Sequence, residues 1–277
     1  MNVLSLFDGM SCGQIALNKL GIKYDNYFAS EIDKYAIQVT QKNYPNTKQI
    51  GSVTEVKGED LPKIDLLFGG SPCQSFSNAG NGKGFDGESG LFWQFVRVLK
   101  EVKPKYFLLE NVKMKKEWEQ VITDALGVEP IEINSRLFSA QNRPRLYWTN
   151  IPNIEQPNDK GILLKDILDT EVEEKYYLSE KAVAKIERSK FGREYATINT
   201  DKTRTLIAGY YKIPSDGIYF DDGNRKRRYT PNECEKLQTV PNGYTDHVSN
   251  TQRYKMLGNG WTVDVIAHIF KNIPHKN

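Results

Sequence analysis

The chain has 277 residues, 39% of them hydrophobic, 11% aromatic and 26% charged. Those are the proportions of a globular protein, and at about 150 residues per domain the length allows one large domain or one large and one small. The net charge is only +3 (38 Lys+Arg against 35 Asp+Glu), which as an average argues against a strongly electrostatic nucleic-acid binder.

Val3–Phe7 is a short apolar run that predicts a first strand, ending in Asp8-Gly9. Interrupted by Ser5, it is too short for a secretory signal, and nowhere does an apolar run reach the roughly 18 residues of a membrane span. Gln14–Leu20 has helical spacing and stops at Gly21. Asn26–Ser30 reads as a second strand and Tyr35–Tyr44 as a second helix, closed by Pro45. Ile64–Phe68 is a third strand, opening into Gly69-Gly70-Ser71-Pro72-Cys73. After a glycine-rich stretch come a helix over Leu91–Val102, a strand over Tyr106–Leu109 and a helix over Glu117–Leu126. Glu129–Phe138 and Leu146–Thr149 read as a closing pair of strands. Strands alternating with helices at this spacing predict an α/β fold with a mostly parallel sheet and helices on both faces.

The rhythm changes after Ile151. A Pro/Asn/Asp/Gly-rich stretch marks 152–179 as a linker, and 180–228 is basic, polar and rich in Tyr and Gly. Thr230-Pro231-Asn232-Glu233 is a helix start, and Val263–Phe270 a last apolar helix. The expected organisation is therefore a sheet domain of 1–151 and 229–277, with a small module of 180–228 set into it.

In an open parallel sheet, ligands bind where strands end and helices begin. The first strand ends in Phe7-Asp8-Gly9-Met10-Ser11-Cys12-Gly13, where two glycines let backbone approach a ligand. Glu31 ends the second strand 22 residues after Gly9, the spacing of a ribose-hydroxyl acceptor in nucleoside-binding units. The glycine spacing is not GxGxxG, which argues against NAD. Ile32 is either an adenine platform or ordinary core.

Ser71-Pro72-Cys73-Gln74 follows a strand at the corresponding edge and precedes five glycines within eleven residues. A cysteine near a helix start is a candidate thiolate nucleophile, with an inert buried cysteine as the alternative. The three cysteines, Cys12, Cys73 and Cys234, are too widely spaced for a disulfide framework or a zinc pair, so a reducing, cytoplasmic setting is expected. All three histidines lie in the last 31 residues, which leaves few bases for Cys–His catalysis. Glu110-Asn111-Val112 ends the next strand and aims a carboxylate at the same crevice. Gln141-Asn142-Arg143-Pro144-Arg145 places two arginines at i and i+2, suited to an oxyanion, a base carbonyl or a phosphate. Each signal has a bland alternative; their order at successive strand ends is what distinguishes them.

In that order the residues resemble the DNA (cytosine-5)-methyltransferases. Phe7 to Gly13 is similar to the S-adenosylmethionine loop, Glu31-Ile32 to the ribose acceptor and adenine platform, and Pro72-Cys73-Gln74 to the nucleophile motif. Glu110-Asn111-Val112 resembles the ENV motif, Gln141 to Arg145 the QxRxR motif, and Gly258-Asn259 the last motif, which closes the cofactor site. Ser71 and Gly260-Trp261-Thr262-Val263 resemble the eukaryotic de novo branch, whereas Asn259 and Gln74 look more like bacterial restriction-modification enzymes. One departure is Ser52 in Gly51-Ser52-Val53, where the family usually has an acid for the adenine amino group.

The resemblance implies a Rossmann-like methyltransferase sheet with a small target-recognition module. It implies S-adenosyl-L-methionine as cofactor, with S-adenosyl-L-homocysteine as product, bound by Phe7, Asp8, Gly9, Ser11, Cys12, Gly13, Glu31, Ile32, Ser52, Val53, Pro72, Leu91, Asn259, Gly260 and Trp261. Cys73, Glu110, Arg143 and Arg145 are the implied catalytic set. Double-stranded DNA is the implied partner, with the target cytosine flipped into the pocket. Gln74, Ser75 and Ser77 are placed to support it or fill the gap. A cognate restriction endonuclease is an expected partner in a bacterial or phage-infected cell, and the oligomeric state stays open.

Residues 185–228 hold 11 Lys+Arg and 6 Asp+Glu, a net +5 that leaves −2 for all the rest. The small module is thus the expected DNA surface, with Thr203-Arg204-Thr205, Arg227 and Arg228 as contacts. Two rivals remain: a tRNA cytosine methyltransferase, whose Pro-Pro-Cys context is not found here, and a non-catalytic DNA-binding homologue, against which the intact Cys73, Glu110, Arg143 and Arg145 count.

Overall fold

The computed structural model describes residues 1–72, 88–188, 196–197, 200–212 and 219–274. Cys73, Gln74, Ser75 and Ser77 lie outside the described residues. The chain forms two compact units: Met1–Ile133 with Pro144–Gln156 and Ile266–Asn277, and Asn134–Arg143 with Pro157–Val265.

Among the described residues of the first unit, the strands are β1 (Asn2–Leu6), β2 (Asn26–Ser30), β3 (Lys48–Gln49), β4 (Leu66–Gly70), β5 (Tyr106–Val112), β6 (Pro130–Asn134) and β7 (Pro144–Thr149). They form one sheet in the order β3-β2-β1-β4-β5-β7-β6, in which β3 to β5 run parallel and β7 returns antiparallel to β5. The helices between them are α1 (Cys12–Lys19), α2 (Lys34–Asn43), α3 (Phe92–Val102) and α4 (Lys116–Leu126). The expected α/β fold is the observed one. The short edge strand β3 carries too little apolar sequence to be read beforehand. β5 runs three residues past the expected Leu109 because Glu110, Asn111 and Val112 pair with Tyr147, Leu146 and Arg145.

Period-two alternation sends Leu67 to one face and Phe68 to the other. Leu67 joins Leu4, Leu6, Phe92, Phe95 and Trp148 in the main core. Phe68 lies 6.1 Å from the Tyr27 ring and 5.3 Å from Phe270, which ends helix α8 (Val263–Phe270). α2 begins where Asp33 accepts from the Tyr35 and Ala36 amides, an N-cap that satisfies two otherwise orphaned donors.

The second unit contains α5 (Glu180–Arg188), α6 (Pro231–Leu237) and α7 (Asn250–Asn259), with a small sheet of β8 (Ala196–Thr197), β9 (Phe220–Asp221) and β10 (Lys226–Arg227). α6 starts as the sequence predicts: Thr230 Oγ1 accepts from the Glu233 amide, and Glu233 accepts from the Thr230 amide. Compactness groups 134–143 and 229–265 with 157–228, where the sequence reading had assigned them to the sheet domain. The reason is close backbone packing. An added Cβ at Gly258 on α7 would lie 2.1 Å from the Ile207 carbonyl carbon and 2.3 Å from the Ala208 nitrogen. These are backbone atoms that have no rotamer to yield. Gly258→Ala is therefore expected to destabilise the protein by about 3 kcal/mol or more, the upper range for overpacking, measured by urea denaturation; a loss below about 1 kcal/mol would show that α7 shifts freely.

Candidate active site

Parallel register aligns the strand ends of the first unit. Leu6 pairs with both Ser30 and Gly69, and Gly70 pairs with Glu110. The turn after β1, Glu31, Ser71-Pro72 and Glu110 consequently emerge at one sheet edge.

The turn after β1 is conformationally costly. Phe7, Gly9 and Ser11 have φ of 57°, 57° and 61°, and a left-handed backbone disfavours the two that carry side chains. Specific bonds hold it. Glu31 Oε2 accepts from the Gly9 amide at 2.7 Å, and Oε1 accepts from the Ile32 and Asp33 amides at 2.7 and 2.8 Å. The Asp8 amide donates to Ser30 O, and the Asp8 carboxylate accepts from the hydroxyls of Ser11 and of Tyr27, the latter at 2.7 Å. Burial pushes the Asp8 carboxyl up to about 6; hydroxyls of Ser11, Ser5 and Tyr27 oppose the rise, and the Glu31 charge adds to it.

Ile32, beside this turn, is 76% exposed, a bare apolar side chain at a strand end. Gly51, with φ 76°, opens a turn in which Ser52 Oγ lies 2.8 Å from Thr54 Oγ1. Arg97 on α3 donates to Val53 O and Val56 O and so fixes this segment. Val53 is buried, and Leu91 packs half-buried against the core at the start of α3. Two expected cofactor residues also have a packing role. Gly13 lies so close to the Phe68 ring that a Cβ would meet it at 2.3 Å, and Cys12 is buried at the start of α1.

At the β4–β5 edge, Glu110 is 8% exposed and Arg145 Nε on β7 lies 3.0 Å from its Oε1. The Nε–H is not aligned on an acceptor, so the contact is an ion pair rather than a hydrogen bond. Asn111, also buried, turns the other way: its amide donates to Ser71 Oγ at 3.1 Å and fixes the backbone just before Pro72. That tie between neighbouring strands has no signature in the sequence beyond the Asn itself.

Arg143 is bound within its own unit. It belongs to the second unit, 3% exposed, and donates to Leu206 O, Gly258 O and Gly260 O. Arg143 precedes the strand, and its guanidinium ties three backbone carbonyls together. Asn259 and Gly260 end α7, and Trp261 follows half-buried.

The DNA-contact expectations also need correction. Arg227 is 3% exposed and makes a two-pronged pair with fully buried Glu233, at 2.8 Å on each side. It holds β10 to α6 and offers nothing to a ligand. Thr203 is buried and accepts from Tyr229 OH, so its hydroxyl is not available for base reading, while Thr205 Oγ1 donates to Asn142 O. Lys202 donates to three carbonyls, Arg225 pairs with Glu174, and Lys226 lies near Glu187 and Asp221. Arg204 is exposed. Arg228 donates Nη1 to Tyr211 O while its Nε and Nη2 are buried without an acceptor.

The chain matches the family of C-5 cytosine-specific DNA methylases over residues 1–275. It belongs to that family. Among the curated relatives of this methylase, type II methyltransferase M1.ScrFI of Lactococcus lactis subsp. cremoris is 34% identical over 298 residues, covering 96% of this chain and 76% of the relative. Type II methyltransferase M.NlaX of Neisseria lactamica is 33% identical over 294 residues, covering 96% and 94%. The solved structure of the Entamoeba histolytica methyltransferase EhMeth shares the fold, with a TM-score of 0.82, 20% identity and 99% of both chains covered.

The methylase's buried Arg227–Glu233 pair gives a direct expectation. Arg227→Ala strands a buried carboxylate and should cost about 3–5 kcal/mol of stability, while Arg204→Ala on the surface should stay within about 0.5 kcal/mol. Urea unfolding of both variants checks this; equal effects would contradict the assignment of Arg227 to the interior.

Proposed function

We propose that this methylase transfers a methyl group from S-adenosyl-L-methionine to C5 of cytosine in double-stranded DNA, with S-adenosyl-L-homocysteine as the product. The observation that carries the reading is the buried Glu110–Arg145 pair, with Glu110 on the strand beside the one that leads into Ser71-Pro72, the residues that directly precede Cys73. A buried carboxylate beside a guanidinium with an unaligned N–H is a pair of groups that still has polar capacity for a third partner.

The residues of the first strand ends fit the cofactor's chemistry. Glu31 Oε2 accepts only the Gly9 amide and keeps lone-pair capacity for a ribose hydroxyl, whereas Oε1 already accepts two amides; exposed Ile32 offers an apolar face for an adenine ring. Ser52 Oγ contacts Thr54, and as a hydroxyl it can still accept from the adenine amino group. The cofactor supplies a methyl group activated by its positively charged sulfur.

The chain supplies the rest. C5 of cytosine is a weak nucleophile. Addition of the Cys73 thiolate at C6 forms an S–C6 bond and moves electron density to C5, which then takes the methyl group. Glu110 holds N3, so that negative charge does not build up on the ring, and Arg145 holds the O2 side. Removal of the C5 proton by solvent restores the double bond and breaks the S–C6 bond, returning the thiolate. The target carbon is inside the stack of a duplex, so the base is extruded into the site before this chemistry. Gln74, Ser75 and Ser77, next to Cys73 in the sequence, would support the opened duplex. In the second unit, exposed Arg204 would meet DNA. The names of the type II relatives support a restriction endonuclease as a cellular partner.

Sequencing cytosine methylation in DNA from cells that express the protein should show C5 methylation at one recurring sequence, and none with Cys73→Ala. Glu110→Gln should lower kcat by roughly a hundredfold or more. Methyl label entering tRNA and no DNA would overturn the substrate, and a Cys73→Ala protein that still methylates would overturn the nucleophile.

A further inference from the structure

The turn after β1 is held from below by a residue that the proposed reaction does not use. Tyr27 is 2% exposed, and its ring packs 5.8 Å from Tyr24 and 6.1 Å from Phe68. Its hydroxyl crosses from β2 to donate to Asp8 Oδ1 at 2.7 Å, while Ser11 Oγ donates to Oδ2. Ser11 is itself fully buried, caps α1 in a left-handed conformation and receives no compensating side-chain cap bond there. The Asp8 carboxylate therefore ties left-handed Ser11 to Tyr27, its anchor to the sheet.

We propose that Tyr27 is a positioning residue of the methylase: through Asp8 it locks the left-handed Phe7–Ser11 turn into the form that receives the cofactor. This rests on the reading of that turn as the cofactor site. A turn with two non-glycine residues at positive φ relaxes once its ties are cut, and a binding loop that must be reordered binds more weakly. Loss of one hydrogen bond to a carboxylate at this point should raise the cofactor dissociation constant roughly tenfold. The loss belongs in cofactor affinity, because the groups proposed to touch the cytosine sit on β5 and β7.

A second signature follows from the charges around Asp8. The groups that face it are the hydroxyls of Ser5, Ser11 and Tyr27, which favour its charged form, and the Glu31 carboxylate, which disfavours it. The cofactor carries a sulfonium and an ammonium, so charged Asp8 favours binding, and affinity should fall as pH drops through about 6, the value to which burial raises Asp8. Removing the Tyr27 hydroxyl removes a donor to the carboxylate, raises Asp8 further and moves that fall to higher pH.

The test is calorimetric titration of S-adenosyl-L-homocysteine and S-adenosyl-L-methionine into wild type, Tyr27→Phe, Ser11→Ala and Glu31→Ala, from pH 5 to 8, with thermal melts of each. Tyr27→Phe is expected to weaken binding roughly tenfold, to shift the pH profile upward and to change kcat at saturating cofactor less than twofold. Ser11→Ala, which cuts the other end of the same tie, should also weaken binding and shift the pH profile upward. If Glu31→Ala weakens binding and a folded Tyr27→Phe does not, or shows its loss in kcat alone, the inference is overturned. If Glu31→Ala leaves binding intact, the cofactor-site reading itself fails. A Tyr27→Phe protein that binds weakly with an unshifted pH profile would also overturn the inference, since packing alone would then account for the loss.

Discussion

The pairing of Leu6 with both Ser30 and Gly69, and of Gly70 with Glu110, is the constraint on which the candidate site depends. Parallel strands in this register end at one level, so the β1 turn, Glu31, Ser71-Pro72 and Glu110 share an edge without any loop having to reach. A one-residue slip would turn each buried side chain to the opposite face, and the cores around Trp148 on one face and Phe68 on the other oppose it. Site geometry is thus inherited from core packing, and the loops add only local ties. Of those ties, Glu31 to the Gly9, Ile32 and Asp33 amides and Asn111 to Ser71 are the ones that fix backbone at the proposed points of contact.

Much of this was legible in the sequence. Apolar runs separated by helical spacing gave the order of strands and helices, and the same runs end in the residues that carry the chemistry. Thr230 and Glu233 announced α6 by the capping box alone. What was not legible depends on partners distant in sequence. Glu233 also takes both prongs of Arg227, which no local pattern could pair with it, so a basic run looked like a DNA surface. Arg143 and Arg145 are two residues apart, yet one ties carbonyls 63 to 117 residues away and the other meets Glu110. β3 was too short to register, and α7 (Asn250–Asn259) lacks an apolar periodicity strong enough to mark it.

The charge concentrated in 185–228 is real but partly spent inside the second unit. Glu174 and Glu233, both outside that stretch, neutralise Arg225 and Arg227, and Lys202 is bound by carbonyls. The electrostatic attraction for DNA therefore rests on fewer cations than the sequence count suggests, and affinity should depend on salt less steeply than eleven phosphate contacts would require. Lys185, Arg188, Arg204, Lys212 and the Glu174-paired Arg225 are the exposed cations among the described residues of that stretch.

The central claim is that Cys73 attacks C6 so that C5 can take the methyl group. A duplex pool of random sequence carrying 5-fluorocytosine tests it most directly, since fluorine at C5 cannot leave as a proton and the S–C6 bond then cannot break. With S-adenosyl-L-methionine present, denaturing mass spectrometry should find protein joined to DNA through Cys73, with one added methyl group. Methylation of ordinary cytosine duplexes with no trapped adduct, or with an adduct on Cys12 or Cys234, would contradict the account.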